Sequence, residues 1–426
     1  MTTVKDIAEY AGVSIGTVDR VLHGRGRVAE ATERRVLEAI ESLGYSPNMH
    51  ARNLVTGRTY VFRVLSPSPD SDGGYWRLPL RGIERALGRL SMSNVSVERV
   101  WFDRHDEEGF LEVLESVGEE ADGLLVAPVV SRRAATALLD SIAGSGIPTV
   151  SFDSRLEYGT SPDAPLEPGA QREREVPREQ EIPPEPDVPP EPDAPPEPGA
   201  QREREVPPES AARPETDAPP ETDVPRQPAD GGIAFVGQNP WEGGQTAGRL
   251  ADFLRRPGEA VASVTLGGKD SHLLERARAF RAYWEERSAA GGGAVQVYEI
   301  MLNDRDREGY VVEVTERLAP IIDEVAAVFV TNAESRLLIE AIRRIGYRGT
   351  VPLVGYDLLP RNIELLREGS IGAVISQKPE EQGYEAMNVL AQHVIFGKSV
   401  PEQILMPVEV ILRENLASFL TQRVSP

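Results

Sequence analysis

Several residues of the right type to recognise hydroxyl groups fall at the ends of short apolar runs in this chain. Asp153 closes TVSFD with Arg155 two residues on, Asn332 closes VFVTN, Asp357 closes LVGYD, and Gln377 follows AVIS. Arg276 lies in LERARAF, and Tyr75 and Trp76 stand together ahead of a helical stretch. Carboxylates, amides and guanidinium groups offer paired hydrogen bonds in one plane, and aromatic rings stack on apolar ring faces. Each residue alone also has a bland use, since a strand-terminal Asp caps helices or forms turns and a Trp fills cores. Catalysis finds little support. The five histidines, His23, His50, His105, His272 and His393, are scattered, and there is no HExxH or GxxxxGK[ST]. With zero cysteines there is no thiolate nucleophile and no thiolate-bound metal. No catalytic residue, metal site or cofactor is expected.

A second constellation lies at the N-terminus. Ile7, Ala8 and Ala11 recur at helical spacing, and Gly12-Val13-Ser14 then breaks the helix. Glycine tolerates the left-handed conformation that ends a helix, and serine can cap the next one. The following helix turns Val18, Val21 and Leu22 inward and leaves Ile15, Gly16, Thr17 and Arg20 outward. Two short helices joined this tightly form a helix-turn-helix pattern. An arginine at Arg20 could fork onto guanine O6 and N7 in a major groove. A third helix is expected from about Glu30 to Leu43, with Val36, Leu37, Ile40 and Leu43 as its apolar stripe.

Ala8, Ala11-Gly12-Val13-Ser14, Thr17-Val18, Arg20-Val21-Leu22, Val28, Thr32, Tyr45, Pro47-Asn48, Ala51 and Leu54 resemble the headpiece and hinge helix of the LacI/GalR family of bacterial transcription regulators. The resemblance runs without a gap over roughly the first 58 residues. It implies that Ile15, Gly16 and Arg20 meet base edges, and that Ser14, Thr17, Thr32, Tyr45, Asn48 and Arg52 contact the DNA. Leu54 would wedge into the minor groove from a hinge helix that forms when two copies meet on operator DNA. Asp19 departs from the serine that many relatives carry there; beside phosphates it weakens binding, or it accepts from a cytosine amino group.

Beyond Tyr60 the pattern alternates short β-rich runs with helical stretches. Strands are expected at Val61–Leu65, Val95–Phe102, Gly123–Ala127, Pro148–Phe152, Ile233–Val236, Val261–Leu266, Val295–Met301, Ala326–Val330, Leu353–Val354 and Ala373–Ile375, with helices near Leu80–Leu90, Glu107–Val117 and Arg133–Ala143. The alternation predicts an α/β fold of parallel sheets covered on both faces, with ligands beyond the carboxyl ends of the strands. This part resembles the two-lobed type I periplasmic-binding-protein fold, closest to its sugar-binding branch. The resemblance assigns Asp153, Arg276, Asn332, Asp357 and Gln377 to polar contacts with a bound sugar, with Tyr75 or Trp76 as an aromatic clamp and Arg155 beside them. Gly243-Gly244 in PWEGGQ mark a crossover and helix start, not a phosphate cradle.

Residues 160–231 interrupt the alternation. Twenty of the 35 prolines lie there, and EPGAQREREVP occurs twice, at Glu167–Pro177 and Glu197–Pro207. Such a composition buries too little apolar area to offset its ordering entropy, so the segment is expected to be disordered and partly polyproline-extended. A neutral expanded repeat explains it more simply than a docking motif for a partner. It also explains the acidity: between Thr160 and Asp230 there are 19 acidic and 7 basic residues, −12 of the net −22, whereas residues 1–58 carry +1. DNA binding would therefore rest on placed basic residues and not on a broad positive field.

The expected organisation is a helix-turn-helix domain (1–46), a hinge helix (47–58), the first part of an effector domain (59–159), the insert (160–231) and the rest of the effector domain with its return strands (232–426). The N-terminus has no apolar stretch of a signal peptide, and no run approaches the ~20 apolar residues of a membrane span. The expectation is a cytoplasmic homodimer, not a membrane protein, that binds pseudo-palindromic operator DNA and a small sugar-like effector as a repressor of carbohydrate-utilisation genes. No leucine repeat suited to a tetramerising coil follows Leu412. The rival readings are a transporter's solute-binding protein, which would need a signal peptide and no headpiece, and a sugar-active enzyme fused to a DNA-binding module.

Overall fold

The computed structural model describes residues 4–22, 28–43, 58–90, 94–114, 120–156, 233–255, 260–267, 270–303 and 306–422. The expected hinge helix, the glycine-rich loop after Leu22 and the insert lie outside these residues.

Three helices form the N-terminal domain: α1 (Val4–Ala11), α2 (Ile15–Leu22) and α3 (Glu30–Ser42). Gly12 has φ +64°, the left-handed value that only glycine adopts without strain, and Val13 N donates to the Ala8 carbonyl at 2.9 Å, closing α1. Ser14 then caps α2, its Oγ accepting from Thr17 N at 3.2 Å. Ile7, Ala8, Ala11, Val18, Val36 and Ala39 form the core, flanked by Val13, Val21, Ile40 and Leu43. The stripe on α3 is thus 36, 39, 40 and 43. Leu37, expected in it, lies one residue (100° of helix) off this face and is 53% exposed.

The remainder builds two six-stranded sheets. The first lobe orders its strands β11-β5-β4-β3-β1-β2, from β1 (Tyr60–Pro67), β2 (Val95–Phe102), β3 (Gly123–Val126), β4 (Thr149–Phe152), β5 (Ile233–Gln238) and β11 (Gln403–Met406). The second orders them β12-β10-β9-β8-β6-β7, from β6 (Ala260–Leu266), β7 (Gln296–Leu302), β8 (Val325–Val330), β9 (Leu353–Tyr356), β10 (Ala373–Ser376) and β12 (Glu409–Ile411). Every pairing is parallel except β10 with β12. The expected strands therefore occur within a few residues of their bounds, whereas β11 and β12 are additions that sequence patterning did not single out. Of the expected helix Glu107–Val117, the described part runs Glu107–Leu114.

Period-two alternation along β8 explains why the second sheet must be covered on both faces. Val328 and Val330 enter the core shared with Leu337, Leu338 and Leu365, while Ala327 and Phe329 enter the opposite core with Phe280, Trp284 and Tyr356. The chain passes between lobes after β5, after β10 and between β11 and β12, so helix Pro379–Val394 follows a strand of the second lobe and packs on the first. Among the described residues no helix is long and apolar enough to cross a membrane.

Candidate ligand cleft and nucleic-acid interface

Two strand ends set the cleft. Asp153 follows β4 with φ +69°, and Asp357 follows β9 with φ +57°. These strands hold matching positions in the two sheets, fourth from one edge and third from the other. The left-handed backbone turns each aspartate back over its own strand end, and both are buried, at 5% and 2% exposure. Asp357 is fixed further by Asn362, whose Nδ2 donates to the Tyr356 and Asp357 carbonyls at 3.0 Å each.

The polar groups form one network across the lobes. Tyr75 Oη donates to Asp153 Oδ1 and accepts from Gln377 Nε2 at 2.9 Å. Gln377 Nε2 also reaches Asp357 Oδ2 at 2.9 Å, its backbone N reaches Asp357 Oδ1 at 3.2 Å, and its Oε1 accepts from Arg276 Nη2 at 2.9 Å. Arg276 projects from helix Ser271–Ala289, donates through Nη1 to the Thr331 carbonyl at 2.9 Å, and lies over the Tyr356 ring at 3.8 Å. Its Nε has no partner, and neither has the buried Nδ1 of His272 one turn earlier. Trp76 meets Tyr75 edge to face at 5.1 Å and donates through Nε1 to Asp72 at 2.7 Å.

Burial dominates the electrostatics. It pushes the Asp153 carboxyl up to about 7, against the opposing pull of the Tyr75 hydroxyl and Arg276, with Asp357 and Asp270 adding to the rise. The Tyr75 hydroxyl is held well above its ordinary value, first by burial and then by the charges of Asp153 and Asp357. Burial, reinforced by Arg276 and Arg104, holds His272 well below the ordinary histidine range, so the imidazole is neutral at physiological pH. Tyr356 is raised to about 12 by burial.

Five expected ligand residues, Tyr75, Asp153, Arg276, Asp357 and Gln377, meet in this network, with Trp76 behind Tyr75. Asn332 stands beside it: Nδ2 donates to the Leu266 carbonyl at 3.0 Å and Oδ1 accepts from Glu334 N at 3.2 Å, the bonds of a turn former. Arg155 does not join. Its side chain is exposed, binds Gln403 on β11 and covers the Phe235 ring at 4.7 Å, because the left-handed turn at Asp153 directs the chain away from the cleft. Sequence reasoning passed over Asp72, Arg104, Asp270 and His272. Arg104 bonds Asp72 at 3.1 Å and also binds Asp270 of the second lobe. The available signal was position, since Asp72 and Arg104 follow the carboxyl ends of β1 and β2. Gly243 and Gly244 are there for close approach: a Cβ on them would stand 2.1 Å from Tyr356 Oη and 2.3 Å from the Arg276 carbonyl oxygen.

On the N-terminal domain, Ile15 is 53% exposed, and Ser14, Gly16 and Arg20 are exposed along one side of α2. Ser14 Oγ lies 2.9 Å from Thr17 Oγ1, and Arg20 Nε folds back to the Gly16 carbonyl at 3.1 Å. Thr32 is half-buried in the first turn of α3. Tyr45, Asn48, Arg52 and Leu54 lie outside the described residues, as does the side chain of Asp19.

Comparison with known proteins agrees with this two-part construction. Residues 3–48 match the family of bacterial regulatory proteins of the lacI type, and residues 220–399 match a periplasmic binding protein domain. The HTH-type transcriptional regulator RegA of Clostridium saccharobutylicum is 32% identical over 166 residues, 39% of this chain and 48% of that protein. The chain thus spans under half the length of the curated relatives it matches. Among solved structures, a solute-binding protein from Agrobacterium vitis bound with α-D-tagatopyranose has a TM-score of 0.60 at 17% identity, over 86% of this chain and 98% of that one. A transcriptional regulator CelR–cellobiose complex has a TM-score of 0.52 at 19% identity, over 97% and 99%. At such identities these two likenesses establish the fold alone. The lacI-type match and the periplasmic-binding match fall on the two parts read above.

Proposed function

We propose that this protein is a sequence-specific DNA-binding transcription regulator, a repressor of carbohydrate-utilisation genes whose hold on DNA responds to a small sugar bound between its lobes. One observation carries the reading. Behind a lacI-type headpiece, Tyr75, Asp153, Arg276, Asp357 and Gln377 converge in a buried cleft, and the Arg276 Nε and His272 Nδ1 stand there without partners. Buried polar atoms left unsatisfied cost free energy that an incoming hydroxyl recovers. The relatives named as transcription regulators and the sugar-bound structures with this fold support the same conclusion. The protein is then a regulator and not an enzyme, works in the cytoplasm where its DNA lies, and binds as a homodimer with one headpiece per half-site. Ser14, Ile15, Gly16, Thr17, Thr32 and Arg20 face the DNA, joined by Tyr45, Asn48, Arg52 and Leu54. The expected boundaries stand as the proposed domains, with residues 160–231 inserted between β4 and β5.

The test is selection of binding sites from random duplex DNA, followed by anisotropy titrations with and without sugars. A pseudo-palindromic site whose affinity changes when a sugar is added supports the reading. Because coupling is reciprocal, the sugar's affinity must change by the same factor when DNA is bound. Selection that enriches no sequence would overturn the DNA-reading role, and a site indifferent to every sugar would overturn the sugar response.

A further inference from the structure

We infer that Asp270 is the moving contact of a latch between the lobes, its carboxylate bound to Arg104 when they stand together and to the start of its own helix when they part. The chain crosses from lobe to lobe after β5, after β10 and between β11 and β12. Rotation of one lobe on the other must therefore break the side-chain bonds that span them. Arg104 follows β2 and Asp72 follows β1, so both belong to the first lobe, whereas Asp270 stands ahead of helix Ser271–Ala289 in the second. Arg104 Nη1 donates to Asp72 Oδ1 at 3.1 Å, and its Nη2 binds Asp270 Oδ2. The side chains of Arg104 and Asp270 are 10% and 4% exposed, so salt screens the bond between the lobes little.

Two observations make this contact a moving one. Asp270 has the backbone of a helix cap, with φ −80° and ψ 115° against −71° and 110° at Asn239, and its carbonyl accepts from Leu273 N at 3.1 Å. Ser131, Asn239 and Asp306 hold the same place before their own helices, and each side chain accepts from a first-turn amide, at 3.2, 3.0 and 2.9 Å. Asp270 is as good a capping residue but makes no such bond, because its carboxylate is turned to Arg104. Rotation of the side chain alone returns it to the first turn of its helix. The second observation is that Arg104 keeps a partner when the lobes part: Asp72 stays with it, held in turn by Trp76 Nε1 at 2.7 Å. Neither charge is stranded by opening, so the most costly part of breaking a buried ion pair is avoided and the latch is reversible. The inference rests on the proposed function only for its consequence: a ligand that favours the closed lobes finds them already populated, binds more tightly and shifts them less.

The experiment measures lobe separation in the full chain with neither DNA nor sugar present, so its outcome is separate from that of the proposed function. The sequence has no cysteine, so Arg132→Cys and Glu308→Cys, at exposed positions in the first turns of helices Arg132–Ser145 and Arg307–Leu318, take one spin label on each lobe. Double electron–electron resonance is expected to show mainly one short separation. In Arg104→Gln, and in Asp270→Ser, which keeps a capping oxygen without the charge, the ratio of short to long separations is expected to fall by about tenfold or more. An unchanged distribution in whichever of the two folds, or a long separation already dominant in the parent, overturns the latch. The return of Asp270 to its helix is tested in the Arg104→Gln background. There Asp270→Ala is expected to melt about 2–4 °C below Asp270→Ser, since only the serine caps. Equal melting temperatures overturn the second resting place of the carboxylate.

Discussion

Asp153 ties the cleft to pH. In the unfolded chain its carboxyl loses its proton near the ordinary value of ~3.9, whereas in the folded protein it keeps the proton up to about 7. The folded state therefore binds more protons between those limits, and stability falls as pH rises from about 4 to about 7, by up to ~4 kcal/mol at neutral pH from this one group. Asp153→Asn keeps the shape and removes the titration. Its melting temperature is expected to gain on the parent protein steadily as pH increases through that window, and a constant difference would show that Asp153 ionises as an ordinary carboxyl. On the DNA side, Arg20 is exposed and, among the described residues, bonds the Gly16 carbonyl of its own helix, a bond it can exchange for a base. Arg20→Ala is expected to relax preference at one base pair per half-site, at about 1–3 kcal/mol, in a selection experiment. An unchanged preferred sequence would remove Arg20 from base reading. The polar residues at strand ends were legible because their position after an apolar run gives both location and direction. Arg155 was misplaced because a left-handed residue two places earlier redirects the chain, and nothing in DSRL announces a positive φ at an aspartate.

Helix–helix contact shows what periodicity leaves out. Helix Arg77–Arg89 packs on helix Pro379–Val394 through two glycines. A Cβ on Gly82 would stand 1.8 Å from the Glu380 carbonyl oxygen, and one on Gly383 would stand 2.0 Å from that of Pro79. Arg85 bridges the same pair, binding Glu380 at 3.1 Å and lying over the Tyr384 ring at 4.5 Å. Alanine raises helix propensity over glycine by about 1 kcal/mol, so Gly82→Ala would stabilise an isolated helix. Here the added methyl meets rigid backbone, and the variant is expected to lose about 1–3 kcal/mol by overpacking. Gly88 lies in the same helix, where an added methyl would find nothing within 4 Å, and Gly88→Ala is expected to gain about 0.5–1 kcal/mol. Denaturant melts of both variants check the contrast, and two shifts of the same sign would refute it. Strand existence was readable because long-range parallel pairing demands apolar runs. The edge strands β11 and β12 escaped because they are short and half-exposed, and Gln403 and Glu409 dilute their pattern. Leu37 was misassigned because the buried face of α3 runs through 36, 39, 40 and 43, and apolar character alone does not say on which side of Val36 that face continues.

At the scale of the molecule, the odd feature is where the chain is interrupted. β4 and β5 lie side by side in parallel, pairing Thr149 with Ile233 and Phe152 with Val236, although some eighty residues separate them in sequence. The sheet closes across this gap with the same register discipline as its neighbours: β3 pairs with β4 through Leu124–Thr149 and Val126–Ser151. Both sides of the interruption contribute to one core, with Val150, Phe152 and Leu156 before it and Ala234 and Val236 after it. The sheet therefore needs the two strands but not a connection of that length. Where a connection is disordered, as the composition of this one predicts, shortening it about tenfold lowers the entropic cost of closure by about 2 kcal/mol, at ~0.6 kcal/mol per halving. Removal of residues 160–231 also takes away −12 of the net −22 charge, which weakens long-range repulsion of DNA phosphates. The deletion variant is accordingly expected to fold, to melt higher than the full chain, and to bind DNA at least as tightly at low salt, with the DNA advantage fading as ionic strength rises. Circular dichroism melts and anisotropy titrations at two salt concentrations measure both effects. A variant that fails to fold, or melts lower, would mean that the PPEPD and EPGAQREREVP repeats contribute contacts to the folded protein, and the insert would have to be counted as part of its architecture.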